Sequence, residues 1–210
     1  MLKKYFFLLL MLFSINQLFS QSIKDTLLYH QNSDNSYQLV FIDAPHSSYH
    51  QKVFESLMSD NFTINEKSVF NSDSKFSIDK KIITKFLGDW ISTCTYKDKV
   101  YAYYPSEPYY NVYIKITDST IVLNDFNEGL VPYAIKEITK QNNIYVFNVI
   151  SPSSEEHTIY LFMMKNNCIA VKSSIFNRPN VWLTKKKNFL KLPIIVNLCP
   201  GNKCEEFHFN

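Results

Sequence analysis

Glycine is nearly missing from this chain of 210 residues. Gly88, Gly129 and Gly201 are the only three, and no two lie close together. A loop that cradles phosphate needs clustered glycines so that backbone N–H groups can approach the anion. The dinucleotide and P-loop fingerprints are therefore excluded, as is a G-x-S-x-G nucleophile elbow. Arginine is scarcer still: Arg178 is the only one among 22 basic residues. Arginine is the usual fork for base edges and phosphates, so its scarcity argues against nucleic acid as a partner. Long apolar runs are missing too. The longest, Tyr5 to Phe13, has nine residues, against the ~20 that a spanning helix needs.

That run has its own meaning. Met1-Leu2-Lys3-Lys4 is a short basic stretch, the apolar run follows, and Leu18-Phe19-Ser20 precedes Gln21. The pattern predicts a secretory signal peptide over residues 1–20, cleaved after Ser20. It implies export to the periplasm or beyond the cell of a Gram-negative bacterium, and a chain that does not span the membrane after cleavage. Without Lys3 and Lys4 the chain carries 20 basic and 19 acidic residues. So even a charge balance leaves no electrostatic footprint for nucleic acid. All four cysteines, Cys94, Cys168, Cys199 and Cys204, follow the leader. In an exported chain an even number favours disulfides.

The remainder divides into an extension (21–76), a strand-rich domain (77–187) and a tail (188–210). Residues 21–36 are polar and read as loosely held. Tyr37 to Asp43 is a strand candidate, and Ser48 opens a helix whose Tyr49, Val53 and Leu57 repeat every four residues, with Gln51 placed for a capping box. A second short helix, capped by Ser77, ends at Gly88. From Asp89 the period changes to two. Eight strand candidates follow: Asp89–Tyr96, Tyr109–Thr117, Thr120–Asp125, Tyr133–Thr139, Asn143–Ile150, Thr158–Met164, Cys168–Ile175 and Val181–Thr184. Short polar breaks between them predict a mainly β fold, an antiparallel up-and-down meander. Closing it into a barrel removes its exposed edges. Several strands are apolar on both faces, so the N-terminal helices and the tail are expected to cover the outside. Ile194 to Leu198 and Glu205 to Phe209 read as a terminal hairpin closed by Cys199–Cys204 around Pro200-Gly201.

Phe86-Leu87-Gly88-Asp89-Trp90 resembles the G-x-W signature that opens the first strand of lipocalins and related calycins. The resemblance covers residues 77–187 and implies an eight-stranded barrel that holds a small apolar ligand. It also implies that Trp90 plugs the closed end, and that a basic residue near the last strand, here Arg178, packs across the indole. The physical rival is an all-β sandwich with Trp90 in its core.

Seven of the eighteen residues from 96 to 113 are tyrosines. Lys97 to Pro108 holds two prolines and reads as a loop. Tyrosine offers flat apolar area and a hydroxyl at small entropic cost, which suits recognition. The lipocalin resemblance implies that Tyr96, Tyr101, Tyr103, Tyr104 and Tyr113 flank the ligand entrance; the bland reading packs them on an outer sheet. Cys94 and Cys168 either bridge across the barrel or stay reduced. His46 and His50 lack a third metal ligand, and Cys199, Cys204 and His208 lack a fourth, so neither group nominates a metal site. No serine, carboxylate or histidine pattern nominates a catalytic centre or a cofactor. The expected function is non-catalytic binding of a small hydrophobic or aromatic ligand inside the barrel. The rival is an envelope protein–protein interaction module, inhibitor or immunity-type, using an exposed tyrosine-rich surface.

Overall fold

A computed structural model describes residues 27–33, 36–58, 76, 78–107, 111–125, 129–176, 181–199, 204 and 206. The signal-peptide candidate over 1–20, the Ser77 cap, Arg178 and His208 lie outside the described residues. Twelve strands form one sheet. They are β1 Leu27–Ser33, β2 Ser36–Asp43, β3 Gly88–Tyr96, β4 Lys99–Tyr104, β5 Tyr113–Ile116, β6 Thr120–Asp125, β7 Gly129–Gln141, β8 Ile144–Ile150, β9 Glu156–Met163, β10 Cys168–Ser173, β11 Val181–Lys185 and β12 Ile194–Leu198. Among the described residues three α-helices accompany them: α1 Ser48–Met58, α2 Lys80–Ile83 and α3 Lys186–Phe189. None of the described helices is long and apolar enough to cross a membrane.

Strands β5 to β11 pair in sequence order, each antiparallel to the next. β3 closes the ring, taking β11 on one edge and β5 on the other. The result is the closed eight-stranded antiparallel barrel that the meander predicted. An eight-stranded barrel is just wide enough for side chains to fill, and they do. Trp90, Ile114, Ile121, Leu123, Tyr133, Ile135, Phe147, Ile159, Leu161, Ile169, Val171 and Leu183 share one core, each no more than 6% exposed. A bulge at Lys136 lets Ile135 and Ile138 point the same way into it. Pro132 is tolerated in β7 because β8 first pairs at Ala134, two residues later.

The closed end is built around α2. Asp79 caps it, accepting from the Lys81 backbone N–H at 2.8 Å. Phe86 then enters the barrel and meets Tyr145 and Phe147 edge-on at 4.9 and 5.5 Å. Gly88 turns the chain into β3 at φ 111°, where side chains are strained. Trp90 donates its indole N–H to the Phe86 carbonyl at 2.6 Å.

β4 and β5 are two halves of one barrel strand. Thr93 pairs with Ala102 and Ile91 with Tyr113, so eleven residues along the chain advance the pairing by only two positions. At Ala102 the chain leaves the barrel. β4 then pairs in parallel with β12, β12 pairs with β2, and β2 with β1. A side sheet thus branches from the barrel wall. α1 covers one of its faces, where Val53 and Leu57 pack with Ile91, Tyr113, Phe189, Ile194 and Val196. The other face gathers Val40, Tyr101, Tyr103 and Ile195.

Several local expectations change. Residues 27–33 are not loose: pairing with β2 supplies the order that the polar sequence LLYHQNS does not advertise. Residues 99–104 are strand, not loop, because the prolines begin only after the strand ends. The outer covering lies over β3 and β5; the outward Tyr160 of β9 remains 38% exposed. Gln51 donates to Glu55 at 2.9 Å instead of closing a capping box. β12 has both edges taken at 194–196, and of the expected return strand only Glu206 is described.

Candidate binding cleft

The β3–β4 hairpin turns on two residues, Lys97 and Asp98, with φ 47° and 60°. Two consecutive positive φ values mark a type I′ turn, normally given to Asn-Gly. Here a lysine and an aspartate hold it, and strained turns of this kind concentrate at functional positions. Cross-strand partners share a face. Thr95 pairs with Thr93's neighbour strand through Val100, Thr93 with Trp182, and Cys168 with Thr184. These pairs build an outward face on β3, β4, β10 and β11.

Against this face lies a cleft of about 490 Å³, lined by Thr95, Lys97, Asp98, Val100, Met164, Lys165, Cys168 and Trp182. A second cleft of about 360 Å³ adjoins it and shares Asp98, Val100 and Cys168. It extends past Lys99, Tyr101, Thr184 and Asn188 to Leu192 and Pro193. Trp182 is half-buried, and its carbonyl accepts from the Thr93 hydroxyl at 3.2 Å. The Lys97 ammonium stands 5.1 Å from the Tyr96 ring, which draws the charge toward the sheet face opposite Thr95. Cys168 is buried, and burial pushes its thiol up, partly offset by a hydrogen bond with Thr184. A thiol held protonated is a poor nucleophile. The cleft therefore offers apolar contact beside Trp182, Val100 and Met164.

The tyrosines expected at a ligand entrance do not converge. Tyr96, Tyr101 and Tyr103 pack on the face of the side sheet away from α1, and Tyr104 and Tyr113 on the face under α1. Tyr104 meets Tyr49 edge-on at 5.3 Å. Tyr113 donates to Asp89 at 2.6 Å, and burial followed by that carboxylate pushes its phenol up. Tyr101 alone of the five lines part of the outer cleft. Tyr103 lies in a buried polar chain. Gln38 donates to Asn197 at 2.9 Å, Asn197 to the Tyr103 oxygen at 3.5 Å, and Tyr103 to Glu206. Ser106 also donates to Glu206, at 2.6 Å. Burial, then the Glu206 charge, raises the Tyr103 pKa far above that of a free phenol.

Trp90 occupies the closed end. The cation over its ring is Lys185, at 5.3 Å, its register partner on β11. Burial, then Lys187, lowers the Lys185 pKa.

The Cys199–Cys204 disulfide is formed, with Cα atoms 5.9 Å apart. The Cys94–Cys168 bridge is not, and both residues carry thiols. Cys168 aligns with Thr184 and through it with Ile91. Cys94 is three residues further along β3. An odd offset puts the two side chains on opposite faces, and two strand spacings plus three residue rises separate their Cα atoms by on the order of 14 Å. A disulfide reaches ~7 Å.

His50 is buried, its ring nitrogens 3.3 Å from the Ser47 hydroxyl and 3.1 Å from the Leu192 carbonyl. Among the described residues no group of three or more metal-ligating side chains converges.

Trp182, Met164, Val100, Lys97 and Lys165 escaped the sequence reading. The one available signal was Trp182. In VWLTK it alternates with the buried Val181 and Leu183 and so must face outward. Protein-family models, curated proteins and solved structures were searched, and none matches this chain.

Proposed function

We propose that this chain is an exported, non-catalytic binding protein of lipocalin-like architecture. Its ligand, a small hydrophobic or aromatic molecule, sits outside the barrel in the cleft beneath the β3–β4 hairpin. The observation that carries this reading is the contrast between the two spaces. Side chains fill the barrel interior, whereas about 490 Å³ lies open beside Trp182. Ligand sites of ~300–1,000 Å³ lined by aromatic and apolar groups are the usual kind. Export is supported by the leader-like pattern of residues 1–20 and by the Cys199–Cys204 disulfide. The test is a titration with the uncharged dye N-phenyl-1-naphthylamine. Binding should quench Trp182 emission and weaken in Trp182→Ala. Binding unaffected by that change would refute the location.

A second reading, a protein-interaction module, draws on Leu27, Tyr29 and Tyr37. All three are exposed on the β1–β2 hairpin, at 47%, 38% and 38%. Aromatic residues of this kind are enriched in interfaces. Cross-linking to an envelope partner that is lost in Tyr29→Glu and Tyr37→Glu would favour it; unchanged cross-linking would remove it.

A further inference from the structure

We infer that the closed end of the barrel is a docking surface for an anionic phospholipid bilayer. Strand register gathers its side chains. Trp90, Tyr145 and Ile169 belong to the barrel core. Their cross-strand partners, close to where β11, β7 and β9 end, are Lys185, Lys140 and Met163. Cross-strand partners share a face, so these three side chains stand around the Phe86 plug. The Lys140 ammonium lies 5.7 Å from the Tyr145 ring, and the Lys185 ammonium 5.3 Å from that of Trp90. Lys85, just after α2, reaches the same Tyr145 ring at 5.6 Å and donates to its hydroxyl at 3.4 Å. Lys80 and Lys81 open α2, and Lys187 follows β11. Lys80, Lys81, Lys85, Lys140 and Lys187 are all exposed.

Little neutralises them. Asp79 caps α2, Asp89 accepts from Tyr113, and Asp118 accepts from the Ser119 hydroxyl. Among the described residues no ion pair joins these carboxylates to the lysines. Lys165 adds nothing to the excess, because it shares the outer cleft with Asp98. The open end has the other sign. There the β8–β9 turn carries exposed Glu155 and Glu156, and Lys136 is tied to Glu156 at 2.6 Å. A barrel charged oppositely at its two ends approaches an anionic surface with the closed end first. Leu87 and Met163 stand among the lysines, 36% and 42% exposed. A bilayer interface accepts apolar side chains beside lysine stems. A nucleic-acid backbone offers them no apolar contact.

The test is co-sedimentation of the native protein with vesicles of phosphatidylcholine, alone or with about 30% phosphatidylglycerol. Partitioning should be more than about a hundredfold stronger on the anionic vesicles and fall in 0.5 M salt. Lys85→Gln with Lys140→Gln should weaken it about thirtyfold, roughly fivefold for each lysine removed. Lys80→Gln with Lys81→Gln should do the same without touching the Tyr145 contacts, and far-UV circular dichroism checks the fold of every variant. Lys136→Gln removes the same charge from the open end and should change binding less than about twofold. Leu87→Ser with Met163→Ser should weaken binding about tenfold and leave its salt dependence unchanged. Equal partitioning onto both vesicles, no sedimentation with either, or a loss from Lys136→Gln as large as from a closed-end lysine would overturn the inference. So would duplex DNA bound more tightly than the anionic vesicles, with Leu87→Ser and Met163→Ser having no effect.

Discussion

Trp90→Phe should cost this protein about 3–4 kcal/mol. Three contributions add at that site. The indole is 2% exposed, and replacing it by phenyl leaves a cavity of a few tens of Å³, worth about 1 kcal/mol. The Phe86 carbonyl loses its donor; an orphaned buried acceptor costs about 1–3 kcal/mol. The Lys185 ammonium, 5.3 Å above the ring, loses part of its cation–π contact, about 0.5 kcal/mol at a half-exposed position. Against a total stability of ~5–15 kcal/mol this is a large fraction. Urea unfolding followed by far-UV circular dichroism measures it, since the midpoint falls while the slope holds for a two-state loss. Trp182→Phe is the internal control. That side chain faces outward and is half-buried, so its cost should stay below about 1 kcal/mol. If the two variants lose stability equally, or Trp90→Phe loses less than 1 kcal/mol, the closed end is not held by this indole.

Other consequences are equally measurable. Burial lowers the His50 pKa below its ordinary value. The folded state therefore binds fewer protons than the unfolded one, and stability is full above about pH 6.5 and lost as pH falls below it. The midpoint difference between pH 7.5 and 5.5 should shrink in His50→Gln; an unchanged profile would exonerate His50. Cys199→Ser with Cys204→Ser opens a short loop and should cost about 2 kcal/mol by chain entropy, read as a lower urea midpoint under non-reducing conditions. Burial pushes the Cys94 and Cys168 thiols up, so Ellman's reagent should find two thiols after unfolding and none rapidly before it. Gly88→Ala should cost about 1–2 kcal/mol from backbone strain alone, because an added Cβ meets nothing within 4 Å at φ 111°; an unchanged midpoint would show that the local backbone relaxes freely.

The barrel was legible because its information is local. In β8 the alternation places Tyr145, Phe147 and Val149 inward, and short polar turns fix which strands are neighbours. β4 was not legible. Its YAYY sequence precedes a proline, and what extends it beyond its hairpin with β3 is β12, more than ninety residues later. β1 likewise depends on β2 for order. Packing of the barrel could not be read from periodicity either, since inward apolar residues line a cavity and fill a core with the same pattern. The cleft was hidden for a related reason. Lys97, Lys165 and Trp182 become neighbours only when a hairpin turn and the β9–β10 turn meet over one face. The cysteines show where register overrides counting: Cys94 and Cys168 face opposite ways because their offset is odd.

The place of β12 sets the order in which the molecule can be assembled. Besides β1, the strand partner of β2 is β12, and 150 residues separate Asp43 from Ile194. A chain made from its N-terminus has β1 and β2 long before the strand that seats them exists. The barrel strands from β5 onward pair with their neighbours as they appear, but the side sheet must wait for nearly the whole chain. Pairings of such long range are slow to form and leave apolar strands open to wrong partners meanwhile. Truncation just before Ile194 would therefore separate the two: the eight barrel strands would retain every partner they have in the ring, and β1 and β2 would have no sheet to join.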